Sequence, residues 1–135
     1  MPQQPLHHAL LPRSSIYTTL HLVTNPYDFT VNGVKFVFLK YIFIPFSFLG
    51  TSGQSINNIK SYSTITSVLD IMERTLEWGH LAPTAPDTLA CYPFPKEMED
   101  PLIIKETPHV YFVGNQQKFE TKLIKGNVMD VMTHI

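Results

Sequence analysis

Five prolines fall within "PTAPDTLACYPFPKEMEDP", from Pro83 to Pro101. Each fixes its own φ and lacks an N–H donor, so this stretch can be neither a helix nor a central strand. A chain of 135 residues makes one domain at most. Its regular elements therefore have to lie on either side of one long connection. Leu81, Leu89, Tyr92 and Phe94 are spaced through and beside the prolines. Apolar side chains in such a place point to an ordered loop that docks, not to a solvated linker.

The second constraint is "FVFLKYIFIPFSFL", fourteen nearly unbroken apolar and aromatic residues from Phe36 to Leu49. A membrane-spanning helix needs about 20 apolar residues. This run is shorter, holds Lys40 and Pro45, and favours Phe and Ile, which suit strands. It is not read as a membrane anchor, yet it is overlong for one strand.

Charged residues make up only 16% of the chain, against the usual quarter. A surface with so little charge leans on a partner. Ten basic residues face eleven acidic ones and are scattered, so no basic stripe exists for direct grip on a phosphate backbone. Cys91 is the only cysteine, which excludes an internal disulfide and any multi-thiolate metal site and fits a reducing compartment. "MPQQPLHHALLPRSS" lacks the basic and apolar regions of a signal peptide.

Along the chain, "IYTTLHLV" (Ile16 to Val23) alternates as a half-buried strand should, and Thr24-Asn25-Pro26 ends it. Asn32-Gly33 between Val31 and Val34 signals a type I′ hairpin, pairing Phe29–Val31 with Val34–Phe36. "GTSGQSINNI" reads as a tight glycine turn into a short helix. Its backbone could cradle a phosphate, but the Gly-Lys-Ser/Thr ending of a P-loop is missing. "STITSVLDIMERTLEW" predicts a helix over Ser63–Trp78, capped by Ser63 and closed by Gly79. Its apolar stripe is Ile65, Val68, Leu69, Met72 and Leu76. "PLII" and "HVYFV" read as short strands, Gly114-Asn115 as a turn, and "KFETKLIKG" as a further strand. The tail "NVMDVMTHI" shows no convincing continuation.

Candidate acid–base or metal groups are His80, His109, Asp87, Asp70 and Asn115. His80 is placed to bond the last carbonyls of the preceding helix, His109 reads as a hydrogen-bonded edge histidine, and Asp70 lies on a solvated helix face. Asp87 in "PTAPDTL" suits an Asx-type turn. No pair has metal-ligand spacing, and no Gly-x-Ser-x-Gly elbow occurs. The residues themselves call for no cofactor and no catalysis.

Four segments carry a resemblance: "LHLVTNPYDFTVNGVKF", "LGTSGQSINNI", "EWGHLAPTAPDTLACYPF" and "PHVYFVGNQQKFETKLIKG". In this order they resemble the C-terminal part of the small B subunits of DNA polymerase delta. The signature positions are Gly50, Thr51, Ser52, Gly53, Gln54, Pro83, Thr84, Pro86, Asp87, Thr88, Leu89, Cys91, Tyr92, Pro93, Phe94, Gly114 and Asn115. The resemblance implies an α/β fold, the C-terminal portion of a calcineurin-like phosphoesterase two-sheet sandwich, as an incomplete domain. Active members of that fold carry Gly-His-x-His after a strand. Here Gly114 is kept, while Asn115 and Gln117 stand at the two metal-binding histidine positions. An amide oxygen supplies neither the imidazole's affinity for transition metals nor its proton. The implied site is degenerate, with no metal.

By the same resemblance, the expected role is non-catalytic: a nuclear scaffold of the polymerase delta complex. It would bind the C-terminal module of the catalytic subunit and a third subunit. It would also be shared with polymerase zeta and meet DNA only indirectly. Residues 1–126 correspond to the partial domain, Val37–Phe48 to an apparent insertion, and 127–135 to a tail outside the family. The rivals are a divergent metal-dependent phosphodiesterase using Asn115, His109 and His80, and a truncated or mis-spliced product without function.

Overall fold

In the computed structural model, which describes residues 5, 7–11, 16, 18–31, 46–91, 100–124 and 127–133, the strands form one mixed sheet. Strand β1 is Tyr27–Val31 and β2 is Phe46–Thr51. Helices α1 (Gln54–Tyr62) and α2 (Val68–Trp78) follow. Then come β3 (Val110–Gln116), β4 (Glu120–Ile124) and β5 (Asn127–Thr133). The sheet order is β1-β2-β3-β5-β4. The β1/β2 and β4/β5 pairs are antiparallel, and the β2/β3 and β3/β5 pairs are parallel. Parallel neighbours need a long crossover. Both helices and the proline-rich loop lie in the one between β2 and β3.

Alternation along the strands decides what each face of the sheet carries. Leu49 of β2 and Tyr111 and Val113 of β3 are buried against Ile56 and Ile59 of α1 and Ile71 and Met72 of α2. Leu81, Ala82 and Leu102 close this core from the loop side. The α2 stripe is centred on Ile71, Met72 and Thr75, while Ile65, Val68, Leu69 and Leu76 pack at its margin. Tyr111 is completely enclosed, with its hydroxyl 3.4 Å from Thr75 Oγ1. Burial pushes its pKa up to about 12, and the Thr75 contact only partly offsets this.

Several sequence expectations are corrected. Leu20 to Thr24 form no strand, and the described residues before them hold a 3-10 helix, His8–Leu10, and turns. Alternation without a neighbouring ladder does not make a strand, and Ile16, Leu20 and Val23 are exposed. Ser63 does not cap α2. It ends α1, while Ser67 caps α2 by accepting the Asp70 N–H. Gly79 closes α2 as expected, at φ +64, with its N–H on the Leu76 carbonyl. "PLII" provides only a single bridge, His80 to Ile103. Asn115 at φ +57 does not turn the chain; it marks an irregularity inside β3, which runs on to Gln116. The tail is strand β5, inserted between β3 and β4.

In the observed hairpin, Phe29–Val31 pair with Phe46–Phe48, near the end of the apolar run; the expected partners Val34–Phe36 lie outside the described residues. The Asn32-Gly33 turn and residues 34–45 lie outside the described residues. The observed register, Val31↔Phe46, is displaced by twelve positions from the Val31↔Val34 register of a two-residue turn. Twelve is even, so every side chain keeps its face. The new partners also fit, since Phe29 stacks on Phe48 at 4.9 Å.

Candidate functional site

Three segments meet at one junction: the β2–α1 turn, the end of β3, and Asn25. Gly50 faces the Phe112 ring, and a side chain at residue 50 would collide with it. Thr51 and Ser52 lead to Gly53, whose φ of +89 strongly favours glycine. A Cβ on Gly53 would also strike the Gly114 carbonyl and the Gln116 amide. Gln54 then opens α1. The glycine turn expected from the sequence is thus set by two independent constraints.

Amide side chains knit this junction together. Ser52 N–H donates to Asn25 Oδ1 at 2.9 Å, and Asn25 Nδ2 donates to Ser52 Oγ at 2.6 Å. Asn115 Nδ2 donates to the Ser52 carbonyl at 3.0 Å. Gln116, buried, donates to the Gly114 carbonyl at 3.2 Å. Gln117, at the second expected histidine position, is exposed. Asn115 therefore serves as a structural clasp. Among the described residues, no three His, Cys, Asp or Glu side chains gather as a metal would require.

The remaining candidates lie apart. His80 bonds through its ring, but not to the helix carbonyls: its Nδ1 accepts the Ala82 N–H at 3.1 Å, and its Nε2 is 3.5 Å from Asp100. Its backbone N–H meets the Thr75 carbonyl instead. His109 Nδ1 accepts the Ser47 N–H at 3.2 Å and lies 2.7 Å from Ser47 Oγ, with its ring against Phe46. Asp70 is exposed and 3.7 Å from Lys122 Nζ, which bonds Glu73 at 2.7 Å. These acids, Glu73 first, raise the Lys122 pKa.

Pro83, Thr84, Pro86, Asp87, Thr88 and Leu89 form a loop pinned to α1 by Asn58. Thr84 Oγ1 (2.5 Å) and Thr88 Oγ1 (2.9 Å) both donate to Asn58 Oδ1, and Asn58 Nδ2 donates to the Thr88 carbonyl (2.9 Å). Asp87 was expected to fix this loop, but it stands exposed at the tip. Cys91 is half-buried, and Tyr92, Pro93 and Phe94 lie outside the described residues. Asn25, Asn58 and Gln116 were not singled out by the sequence reading. Their partners are up to 30 residues away, and no local pattern signals them.

On the sheet face away from the helices, Tyr27, Phe29, Phe46, Phe48 and Phe112 line up by register. Tyr27 and Phe29 stack at 5.7 Å, and the other members of the row are half-buried. A groove of about 750 Å³ runs past Tyr27, Phe29, Phe48, Ile103 and Pro108. Among the described residues, neither helix covers this face.

The chain belongs to the family of DNA polymerase alpha/epsilon B subunits, whose sequence profile matches residues 1–121. It is 50% identical over 127 residues to the DNA polymerase delta small subunit of Arabidopsis thaliana, covering 94% of this chain and 26% of that one. It is 40% identical to the DNA polymerase delta subunit 2 of Drosophila melanogaster, covering 94% and 26%. With the DNA polymerase delta small subunit of Saccharomyces cerevisiae it shares 38% over 144 residues, covering 93% and 29%. The chain spans about a quarter of the length of these relatives.

Proposed function

We propose that this chain is the part of a DNA polymerase delta small subunit that acts as a non-catalytic scaffold in DNA replication, in the nucleus. The observation that carries this reading is identity of 35–50% to delta small subunits over more than nine-tenths of the chain. Its partners on this reading are the C-terminal module of the catalytic subunit and a third subunit, with polymerase zeta as a second host complex. The absence of enzymatic activity is supported by the bonding of Asn115 to the Ser52 carbonyl and the exposure of Gln117. An amide oxygen lacks the imidazole's affinity for transition metals, and the amide offers no proton to a leaving group.

The finer fold reading, the C-terminal portion of a calcineurin-like two-sheet sandwich, belongs to the same proposal. It is supported by a sheet with helices on one face and an aromatic row on the other. In sheet-on-sheet packing, a second sheet lies about 10 Å away with interdigitating side chains. Tyr27, Phe29 and Phe48 are suited to such a layer, which the longer relatives have the chain length to supply.

The test is a segment exchange. The matching residues of the Arabidopsis relative are replaced by this chain, and the tagged chimera is used to capture the polymerase delta catalytic subunit. Capture at the parental ratio is expected. Loss of capture by a folded chimera would contradict the scaffold role. Manganese-dependent hydrolysis of bis(nitrophenyl) phosphate, abolished by Asn115→Ala, would replace that role with an enzymatic one.

A further inference from the structure

Strands β1 and β4 are the two edges of the sheet. An edge strand leaves a row of N–H and C=O groups without ladder partners, and proteins commonly blunt it with lysine, proline or a bulge. At one edge, Lys122 of β4 supplies such a charge, held by Glu73 and Asp70. The other edge lacks these devices. Tyr27–Val31 holds no lysine and no proline, its register with β2 is unbroken, and four of its five residues are exposed. Among the described residues, no strand lies on its outer side. Tyr27, Asp28, Phe29 and Thr30 also line the groove of about 750 Å³, together with residues 103–106. The charged side chains among its described lining residues are Asp28, Asp100, Glu106 and Lys105, three acids against one base. Asp100 faces His80 at 3.5 Å. Asp28 and Glu106 are exposed and, among the described residues, in no ion pair.

We infer that the outer edge of β1 is a docking site for an extended, basic segment of a partner polypeptide, which adds to the sheet as a further strand. The backbone decides the form, because only an extended chain satisfies a row of strand N–H and C=O groups. Alternation decides the pattern. Tyr27 and Phe29 lie on the aromatic face of the sheet, while Asp28 and Thr30 lie on the opposite face. A strand beside them places apolar side chains next to the two rings and lysine or arginine next to Asp28. Charge decides the sign. The carboxylates of Asp28 and Glu106 attract a basic segment and repel a phosphate backbone. A second copy of this chain would bring the same acids to both sides of the contact, so like charge disfavours it. The edge site is independent of capture by the catalytic subunit, so the segment exchange above and the test below can fail separately.

The test uses the full chain and a short capped peptide that alternates valine with lysine, followed by fluorescence anisotropy and amide hydrogen exchange. Expected is saturable binding with a Kd of about 1 mM or tighter, weakened by added salt, with slowed exchange concentrated in β1. The double variant Asp28→Asn, Glu106→Gln should bind about threefold to tenfold more weakly. Two control peptides leave the protein untouched: one N-methylated on alternate amides, the other with glutamate in place of lysine. Neither should bind. Equal binding by the N-methylated peptide would overturn strand addition, and equal binding by the glutamate peptide would overturn the basic partner. No saturable binding of the lysine peptide, or slowed exchange elsewhere than β1, would overturn the site itself.

Discussion

The two faces of the sheet differ in how completely they are built. On the helix side, Leu49, Tyr111 and Val113 meet Ile56, Ile71 and Met72, and all six are buried. On the other side, Phe29, Phe46, Phe48 and Phe112 are only half-buried, and Tyr27 is 40% exposed. Both faces are apolar, so burial and not composition separates them. The helix side supplies hydrophobic stabilisation now. The aromatic side holds apolar area that yields little until something covers it.

The largest expected effect lies on the finished face. Ile71 is fully enclosed, so Ile71→Ala should cost about 2–5 kcal/mol in a denaturant titration. A cost below 1 kcal/mol would erase the distinction between the faces.

Tyr111 gives the next effect, through pH. Its folded pKa of about 12 lies above the ordinary 10.0, so folding favours the neutral phenol. Stability is fully present below pH 10 and falls as pH rises from 10 toward 12, because only the unfolded chain ionises in that window. The full loss is about 3 kcal/mol at 1.36 kcal/mol per unit. Tyr111→Phe should flatten this alkaline slope. Thr75 Oγ1 keeps its 2.7 Å bond to the Met72 carbonyl in that variant, which limits the cost at neutral pH.

The hairpin offers a smaller effect of opposite sign. Deleting residues 34–45 joins Gly33 to Phe46, so the Asn32-Gly33 turn would close the observed Val31↔Phe46 pair directly. Shortening the connection from fourteen residues to two should add about 1.5–2 kcal/mol of stability by loop-closure entropy. Amide chemical shifts of β2 and β3 should remain in place. Shifts that move throughout the sheet would show that the register depends on the longer connection.

Phe29→Ala should have the smallest effect in this chain, about 1 kcal/mol, the scale of a cross-strand aromatic pair. In a complete small subunit the same change should cost about 3–5 kcal/mol. Equal costs in the two settings would mean that the aromatic face stays open.

What could be read from the sequence follows from how local each signal is. The α2 terminus at Gly79, the glycine turn into α1, and strands β3 and β4 rest on neighbouring residues, and each was legible. Strand β5 was not. Its ladder partners are Val110–Gln116 and Glu120–Ile124, and "NVMDVMT" alone does not reveal that it lies between them. Leu20–Val23 shows the converse: it carries on the alternation begun at Ile16 but, among the described residues, has no ladder beside it. At the candidate site the glycines of the turn were legible. The Asn25–Ser52 and Asn58–Thr84 bonds span 27 and 26 residues and emerge only once the chain is folded.

The most direct measurement is hydroxyl-radical footprinting of Tyr27, Phe29 and Phe48, made on this chain alone and on the segment-exchange chimera in complex with the catalytic subunit. Strong labelling in the chain alone and clear protection in the chimera are predicted on the proposed two-sheet reading, in which the longer protein supplies the second layer. Equal labelling in both would contradict the account of an aromatic face that the rest of a delta small subunit completes.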